Sequence, residues 1–337
     1  MPALRIDRRL IDVGKPAYIL AEIGINHEGD IALAKDMIDA AASCGVDGVK
    51  FQSFRAEDLV DKKASPEYYK LFKRVELSRK DHETLFAYCR HRKLSFLSTP
   101  FDNKMVDMLI GIGVGAIKVA SGDITHFPML EHIGSKRVPV ILSTGMSYIA
   151  EVDEARRLLY DSGCPGMVLL HCVSRYPAKP ADLNLRSMVK MGEVFAEPYG
   201  FSDHSIGILA AIGAVAMGAK FIEKHFTIDK SLSGPDHKLS ADPEDMKALV
   251  DAVRYIEKSL GRDTKQPTSE ELRDRRLGRR GCYASRDIRA GEKLALSNIK
   301  FTRPEAAIPA KLWPTIDGRK TSRPILKSEP IDFRMLG

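Results

Sequence analysis

The 337-residue chain contains a single Trp and five Cys, and no two of the cysteines form a Cys-x-x-Cys pair. An odd, scattered set (Cys44, Cys89, Cys164, Cys172, Cys282) excludes a disulfide framework and reads as reduced thiols of a cytoplasmic protein, with Cys172 as inert core. No long apolar run is present. The nearest to one, 206–219, has 14 residues, too few for a bilayer, and is read as a buried helix. Arg5, Asp7, Arg8 and Arg9 precede any apolar stretch, so the h-region of a secretory signal is missing and neither membrane partner nor export is expected. A phosphate-binding P-loop is also absent. The run GIGVG at 111–115 follows a helical pattern and precedes a strand, the reverse of a dinucleotide fingerprint. No internal repeat or low-complexity segment is read.

Charge excludes a further class. The net +7 suggests a nucleic-acid binder until it is located. Residues 262–337 hold 18 basic and 10 acidic side chains, whereas 1–261 hold 34 and 35, so a near-neutral body carries a basic tail. That distribution does not suit a polyphosphate-coating surface, and no nucleic-acid partner is expected.

What the body does have is alternation. Short β-branched runs at 17–24, 48–54, 95–101, 116–121, 139–145, 167–173, 199–204 and 220–226 are each followed by an amphipathic stretch. The clearest helical patterns, 30–43, 148–162 and 242–260, have Gly45, Gly163 and Gly261 just beyond them as C-cap candidates. Eight such units in about 250 residues predict a (β/α)8 TIM barrel. Residues 4–16 are read as a hairpin closing the barrel bottom. Past Arg262 the pattern changes, predicting domains at 1–262 and 281–337 with a polar linker at 263–280, the second domain small and β-rich.

Barrel active sites lie at the C-terminal strand ends, and this chain places polar residues there on every strand. The successive ends carry Glu22 with Asn26, His27 and Glu28 beyond it; Lys50 and Gln52; Ser98 and Thr99; Lys118 and Ser121. They continue with Ser143 and Thr144; His171 and Ser174; Ser202, Asp203 and His204; and Glu223 and His225. Lys50 with Gln52, Ser202 with His204, and Glu223 with His225 are i, i+2 pairs that share one strand face. Two lysines and several hydroxyls are all donors, the equipment for a small polyanion bearing phosphate and carboxylate. His204 and His225 converge from adjacent strands and suit a divalent cation with open positions, Mn²⁺ first, with Mg²⁺ or Co²⁺ as alternatives. For Ser98, Ser143 and Thr144 helix N-capping competes with a role in binding. His82, His91, His126 and His132 are read as structural.

The motifs AEIGINHEG at 21–29, VKFQ at 49–52, STPF at 98–101, STGM at 143–146, GFSDH at 200–204 and GPDH at 234–237 together resemble the sialic acid synthase family. SRDIRAGE at 285–292 and KFTRP at 300–304 resemble its C-terminal antifreeze-like (SAF) domain. The resemblance spans nearly the whole chain. It implies condensation of phosphoenolpyruvate with an N-acylated amino-sugar, N-acetylmannosamine first, to give a nine-carbon 2-keto acid and phosphate by C–O cleavage with a divalent metal. Lys50, Thr99, Lys118, Ser121, Ser143, Ser174 and Ser202 would hold phosphoenolpyruvate, and His204 and His225 the metal. Glu22 would be the acid/base, Glu223 a second candidate, and Gln52, Tyr176 and Asp236 contacts to sugar or intermediate. The resemblance also implies a domain-swapped homodimer in which Arg303 of the SAF domain reaches the sugar N-acyl group. Alternatives are a legionaminate or pseudaminate synthase or a spore-coat polysaccharide relative, a metal-dependent pyruvate aldolase, and a non-catalytic sugar- or ice-binding protein. The aldolase would release no phosphate, and a binding module would not require Glu22, the lysines and the paired histidines.

Overall fold

A computed structural model describes residues 4–337, so the first three residues of the predicted 1–262 domain lie outside it. Contacts divide the chain after Gly261, with Arg262–Gly337 as a second unit.

The first unit opens with an antiparallel hairpin, β1 (Leu4–Ile6) and β2 (Arg9–Ile11). Eight parallel strands follow: β3 (Tyr18–Gly24), β4 (Gly48–Ser53), β5 (Ser95–Pro100), β6 (Ile117–Val119), β7 (Val140–Ser143), β8 (Met167–Cys172), β9 (Tyr199–Asp203) and β10 (Phe221–His225). Their order, β5-β4-β3-β10-β9-β8-β7-β6, is that of a (β/α)8 barrel, with β5 beside β6 at the seam without a regular ladder. All eight sequence-predicted strands are present, each within about two residues of its expected ends.

Parity along the strands decides what the barrel holds. Residues facing out, such as Ile19, Ala21 and Ile23 of β3 and Val49 and Phe51 of β4, pack with the helices in the main core. Helix Ile31–Cys44 shows how these helices are delimited: the Asp30 carboxylate accepts from the N–H groups of Ala32 and Leu33, and Gly45 ends it at φ 83°. Residues facing in form stacked layers. At the bottom the hairpin's Leu4, Ile6 and Ile11 plug the barrel against Tyr18, Leu20, Leu97, Ile141, Val168, Leu170 and Phe221. One step higher the inward positions become Glu22, Lys50, Thr99, Lys118, Ser143, Ser202 and Glu223, all buried. A strand that only filled core would continue apolar, so this change of layer marks the functional end.

Two inward glycines, Gly48 and Gly200, make room for the rings of the lower layer, where Tyr18 stacks on Phe221 at 4.9 Å. A Cβ on Gly200 would stand 2.1 Å from the Phe221 carbonyl oxygen and 2.8 Å from Leu170 Cδ2. Gly200→Ala is therefore expected to destabilise the barrel by about 1–3 kcal/mol, read as a lower unfolding midpoint in a denaturant titration. An unchanged midpoint would contradict that packing.

The stretch 206–219 departs from the buried helix expected of it. Only Leu209–Ala216 is helical, and Ile206 (72%) and Leu209 (81%) are exposed, because this segment starts in the loop beyond β9 before turning onto the core. Among the described residues no helix is long and apolar enough to cross a membrane.

In the second unit the segment read as linker contains a helix, Ser269–Gly278, N-capped by Thr268 with Glu271 reaching back, and none of its residues is buried. Capping and an acidic first turn suffice to start it although it lacks an apolar face. Beyond it, β11 (Gly281–Ala284) pairs antiparallel with β12 (Ile299–Thr302). Isolated bridges and 3-10 turns complete the fold around Cys282, Ile288, Leu294, Ile299, Ile308, Ile316, Ile325 and Ile331.

This unit corrects the reading that no internal repeat exists. SRDIRAGE at 285–292 and SRPILKSE at 322–329 fold alike. Arg286 donates to Glu292 at 2.6 Å and Arg323 to Glu329 at 2.6 Å, each Glu also accepts a backbone N–H at 2.9 Å (from Arg289 and Leu326), and Ile288 bridges Ile325. Gly291 and Ser328 occupy the same left-handed position, at φ 76° and 68°. The repeat escapes a composition scan because only Ser, Arg, Ile and Glu are shared.

Candidate active site

The upper layer opens into a cavity of about 440 Å³ at the C-terminal ends of the strands. Every barrel residue nominated from the sequence as catalytic, substrate-binding or metal-binding lines it: Glu22, Lys50, Gln52, Thr99, Lys118, Ser121, Ser143, Ser174, Tyr176, Ser202, His204, Glu223, His225 and Asp236. Arg303 belongs to the second unit, just beyond β12, where it is exposed and, among the described residues, has no carboxylate within 4 Å.

At the cavity floor the charges alternate. Lys50 Nζ lies 2.9 Å from Glu22 Oε2, 3.1 Å from Thr99 Oγ1 and 3.9 Å from Glu223 Oε1. Lys118 Nζ donates to Ser143 Oγ at 2.6 Å and to the Val119 carbonyl at 2.9 Å, and stands 4.0 Å from Glu223 Oε1. Ser202 donates to that same oxygen at 3.0 Å, whereas Glu223 Oε2 is buried without a hydrogen-bond partner. These surroundings push the two carboxyls apart. Burial and the neighbouring Glu223 charge raise Glu22 to about 7 against the pull of Lys50. Glu223 is also disfavoured by burial, but Lys118 and Lys50 outweigh this and hold it below the usual carboxylate range. A carboxyl that exchanges its proton near neutrality thus sits beside one that stays ionised, a division of acid/base roles imposed by environment.

Gly145 lies behind two of the cavity hydroxyls. Its N–H donates to Ser121 Oγ at 2.9 Å, and a Cβ there would lie 2.2 Å from Ser174 Oγ, so a larger residue would displace the Ser174 hydroxyl.

The rings of His204 and His225 are 5.4 Å apart, with Tyr176 over the first at 4.1 Å and edge-on to the second at 5.7 Å. His204 Nδ1 donates to the Val173 carbonyl at 2.9 Å, so Nε2 is the nitrogen left for a ligand; burial disfavours the charged ring, but Cys172 and the Val173 carbonyl outweigh it and raise the ring above its ordinary value. Burial, with His204 and Lys50 nearby, holds His225 well below the ordinary histidine range, and its Nδ1 is buried without a hydrogen-bond partner, 3.9 Å from Asp236 Oδ2. The unsatisfied ring nitrogen of His225 and the His204 ring held through Nδ1 fit a divalent cation bound by two histidines. No group of three or more His, Cys, Asp or Glu side chains converges among the described residues, so substrate or water oxygens would supply the remaining positions.

Other strand-end polar residues do not enter the cavity. Ser98 is hydrogen-bonded to Ser53 at 2.6 Å and Thr144 donates to the Leu170 carbonyl at 3.0 Å; neither caps a helix, nor does Ser143. His171 donates to the Leu183 carbonyl at 2.7 Å, and Asn26 to the Phe226 carbonyl at 2.9 Å. Asp203 faces outward to Lys224.

Cys172, read as inert core, instead lines the cavity. Its thiol lies below its ordinary value because His204, Ser121 and Lys118 outweigh the opposing effect of burial. The parity of Val168, Leu170 and Cys172 on β8 carried that signal. Phe101 and Met146 were also missed and supply apolar wall. The loop bearing Asp236 is braced from below: Glu28 Oε1 accepts from the N–H of Gly234 at 3.1 Å and lies 3.3 Å from His237 Nε2, while His237 Nδ1 meets Thr227 Oγ1 at 2.7 Å. Glu28 and His237 therefore anchor the loop, and Asp236 is its cavity-facing residue.

The NeuB family profile matches residues 37–265 and the SAF domain profile residues 279–337. The chain is 42% identical to the N,N'-diacetyllegionaminic acid synthase of Legionella pneumophila over 321 residues, covering 90% of each protein. It is 34% identical to the N-acetylneuraminate-9-phosphate synthase of Mus musculus, over 90% of this chain and 88% of the other. Among solved structures, the N-acetylneuraminic acid synthetase of Leptospira borgpetersenii superposes with a TM-score of 0.77 at 35% identity, covering 81% of this chain and 95% of that one. On the extent of these matches, the chain belongs to the NeuB family and carries a C-terminal SAF domain.

Proposed function

We propose that the protein condenses phosphoenolpyruvate with an N-acylated amino-sugar to form a nine-carbon 2-keto acid and phosphate. The observation that carries this reading is the donor set of the floor and wall, two buried ammoniums with Thr99, Ser121, Ser143, Ser174 and Ser202 lining one cavity. Such a set matches a ligand with both phosphate and carboxylate, whereas a pyruvate aldolase has no use for the phosphate half. Family membership supports the synthase class.

In the reaction, C3 of phosphoenolpyruvate attacks the sugar aldehyde carbon, forming the new C–C bond, and the aldehyde oxygen takes a proton to become a hydroxyl. Water then adds to the cationic C2 and loses a proton, and the C2–O bond to phosphate breaks. Lys50 and Lys118 hold the phosphate and carboxylate, neutralising charge that otherwise opposes the approach of substrate. Glu22, raised to about 7, moves the proton at the aldehyde oxygen or the attacking water, and Glu223, kept anionic by Lys118 and Lys50, stabilises positive charge developing at C2. Gln52, Tyr176 and Asp236 contact the sugar. His204 and His225 would hold a divalent cation, Mn²⁺ first, which when bound polarises the aldehyde.

The first sugar is N-acetylmannosamine. The amino-sugar precursors of legionaminic or pseudaminic acid stand equally well, since the similar proteins above are named for both N,N'-diacetyllegionaminic and N-acetylneuraminate-9-phosphate synthesis. Purified protein with Mn²⁺, phosphoenolpyruvate and each sugar in turn should release phosphate and form a 2-keto acid with at least one of them. Lack of turnover with every amino-sugar would sink the proposal.

The assembly proposed is a domain-swapped homodimer in which Arg303 reaches the sugar N-acyl group of the other protomer's site. Its exposure and freedom from ion pairing leave its donors available. Arg303→Ala is expected to raise KM for the sugar about tenfold, with little change for phosphoenolpyruvate, because the contact is to one substrate only. A selective loss for phosphoenolpyruvate would contradict this.

A further inference from the structure

A buried ion pair lies one residue before each of the two cavity histidines. Asp203 precedes His204 at the end of β9, and Lys224 precedes His225 on β10. Their side chains face outward, with 0% and 1% exposure, and Lys224 Nζ lies 2.9 Å from Asp203 Oδ2. The two are also direct cross-strand partners in the β9–β10 register.

The remaining polar atoms of the pair are spent on the segment that carries His204. Asp203 Oδ1 accepts from the Ser205 N–H at 2.8 Å and from the Ser205 hydroxyl at 2.6 Å, closing an Asx turn with His204 as its central residue. Lys224 Nζ donates to the Ser205 carbonyl at 2.6 Å, so one ammonium ties β10 to both sides of His204. The His204 carbonyl accepts from Ala178 N–H at 3.0 Å and the His225 carbonyl from Ala241 N–H at 2.8 Å, which anchors both backbones to the loops around them.

Stability alone is a poor reason for this arrangement. Phe201 and Ile222, which flank the pair on the same outward faces, belong to the main apolar core. Desolvating two charges there costs roughly what their attraction returns, and a well-packed apolar pair of similar volume commonly serves the fold as well. What an apolar pair cannot do is set direction. We infer that Asp203 and Lys224 are positioning residues that fix the separation and aim of His204 and His225. This rests on the proposed function, in which the two imidazoles hold a divalent cation.

The test uses the double variant Asp203→Asn/Lys224→Met in the full-length protein. It removes both charges together, and the asparagine carbonyl still accepts from Ser205. Three measurements are made beside wild type: thermal unfolding of the metal-free protein, Mn²⁺ affinity by titration monitored by electron paramagnetic resonance, and a crystal structure of the metal-free variant. The variant is expected to unfold close to the wild-type temperature, to show His204 and His225 displaced, and to bind Mn²⁺ about 10–100-fold more weakly. Its KM for phosphoenolpyruvate should be unchanged, because Lys50 and Lys118 are untouched, while kcat falls at least tenfold. Unmoved imidazoles with wild-type Mn²⁺ affinity would overturn the inference. Should the double variant not fold, Asp203→Asn alone is examined in the same way with the same outcomes. Failure of the functional reading looks different: wild type would itself bind no Mn²⁺ or make no product, and the crystallographic comparison would still decide whether the pair positions the rings.

Discussion

Glu22→Gln is expected to lower kcat for phosphate release by about 10²- to 10⁴-fold, the range for losing a positioned acid or base. The substitution is nearly isosteric, and the glutamine side chain keeps a polar oxygen facing Lys50, whose Nζ lies 2.9 Å from the native carboxylate. Only proton exchange and the carboxylate charge are removed. Glu22 suits that exchange because burial and Glu223 raise it to about 7, whereas Glu223 stays ionised between two lysines. Release of phosphate from saturating phosphoenolpyruvate and sugar, with thermal unfolding as a control for folding, measures the effect. A variant within tenfold of wild type would remove Glu22 from the chemistry and leave Glu223 as the acid/base.

Loss of the paired imidazoles should cost nearly as much. His225→Ala deletes one of two nitrogen donors, and a metal acting as a Lewis acid contributes several kcal/mol to the transition state, which at 1.36 kcal/mol per factor of ten is about 10²- to 10³-fold in rate. Folding should survive. His225 Nδ1 is already a buried nitrogen without a hydrogen-bond partner, so removing the ring relieves one unsatisfied group as it opens a cavity. Chelation of wild type should abolish turnover, and added Mn²⁺ should restore it. A folded His225→Ala protein with wild-type rate and Mn²⁺ affinity would discard the metal assignment.

Much of the site was legible before the fold because a barrel strand has a simple code. Inward positions recur every second residue, and an apolar strand that turns polar at its last inward position announces a ligand. That rule placed Lys50 and Gln52, Ser202 and His204, and Glu223 and His225 correctly on one face. Applied to Val168, Leu170 and Cys172, it also picks out the thiol that residue-type habit assigned to the core. It does not by itself separate Ser98 or His171 from true cavity residues, because register and parity have to be known before the face is.

Residue pattern alone determined the eightfold alternation, the change of composition near Arg262 and the polar layer at the strand ends, since each depends on spacing along the chain. Tertiary structure decided the rest. Glu22 is raised because burial and the Glu223 charge outweigh Lys50, Glu223 is lowered because burial is outweighed by Lys118 and Lys50, and the pairing of Asp203 with Lys224 exists only through the β9–β10 register. Glu28 and His237, 209 positions apart, became loop anchors the same way. A pKa or an ion pair is a property of distances between segments, and those distances are set when the strands close around one axis.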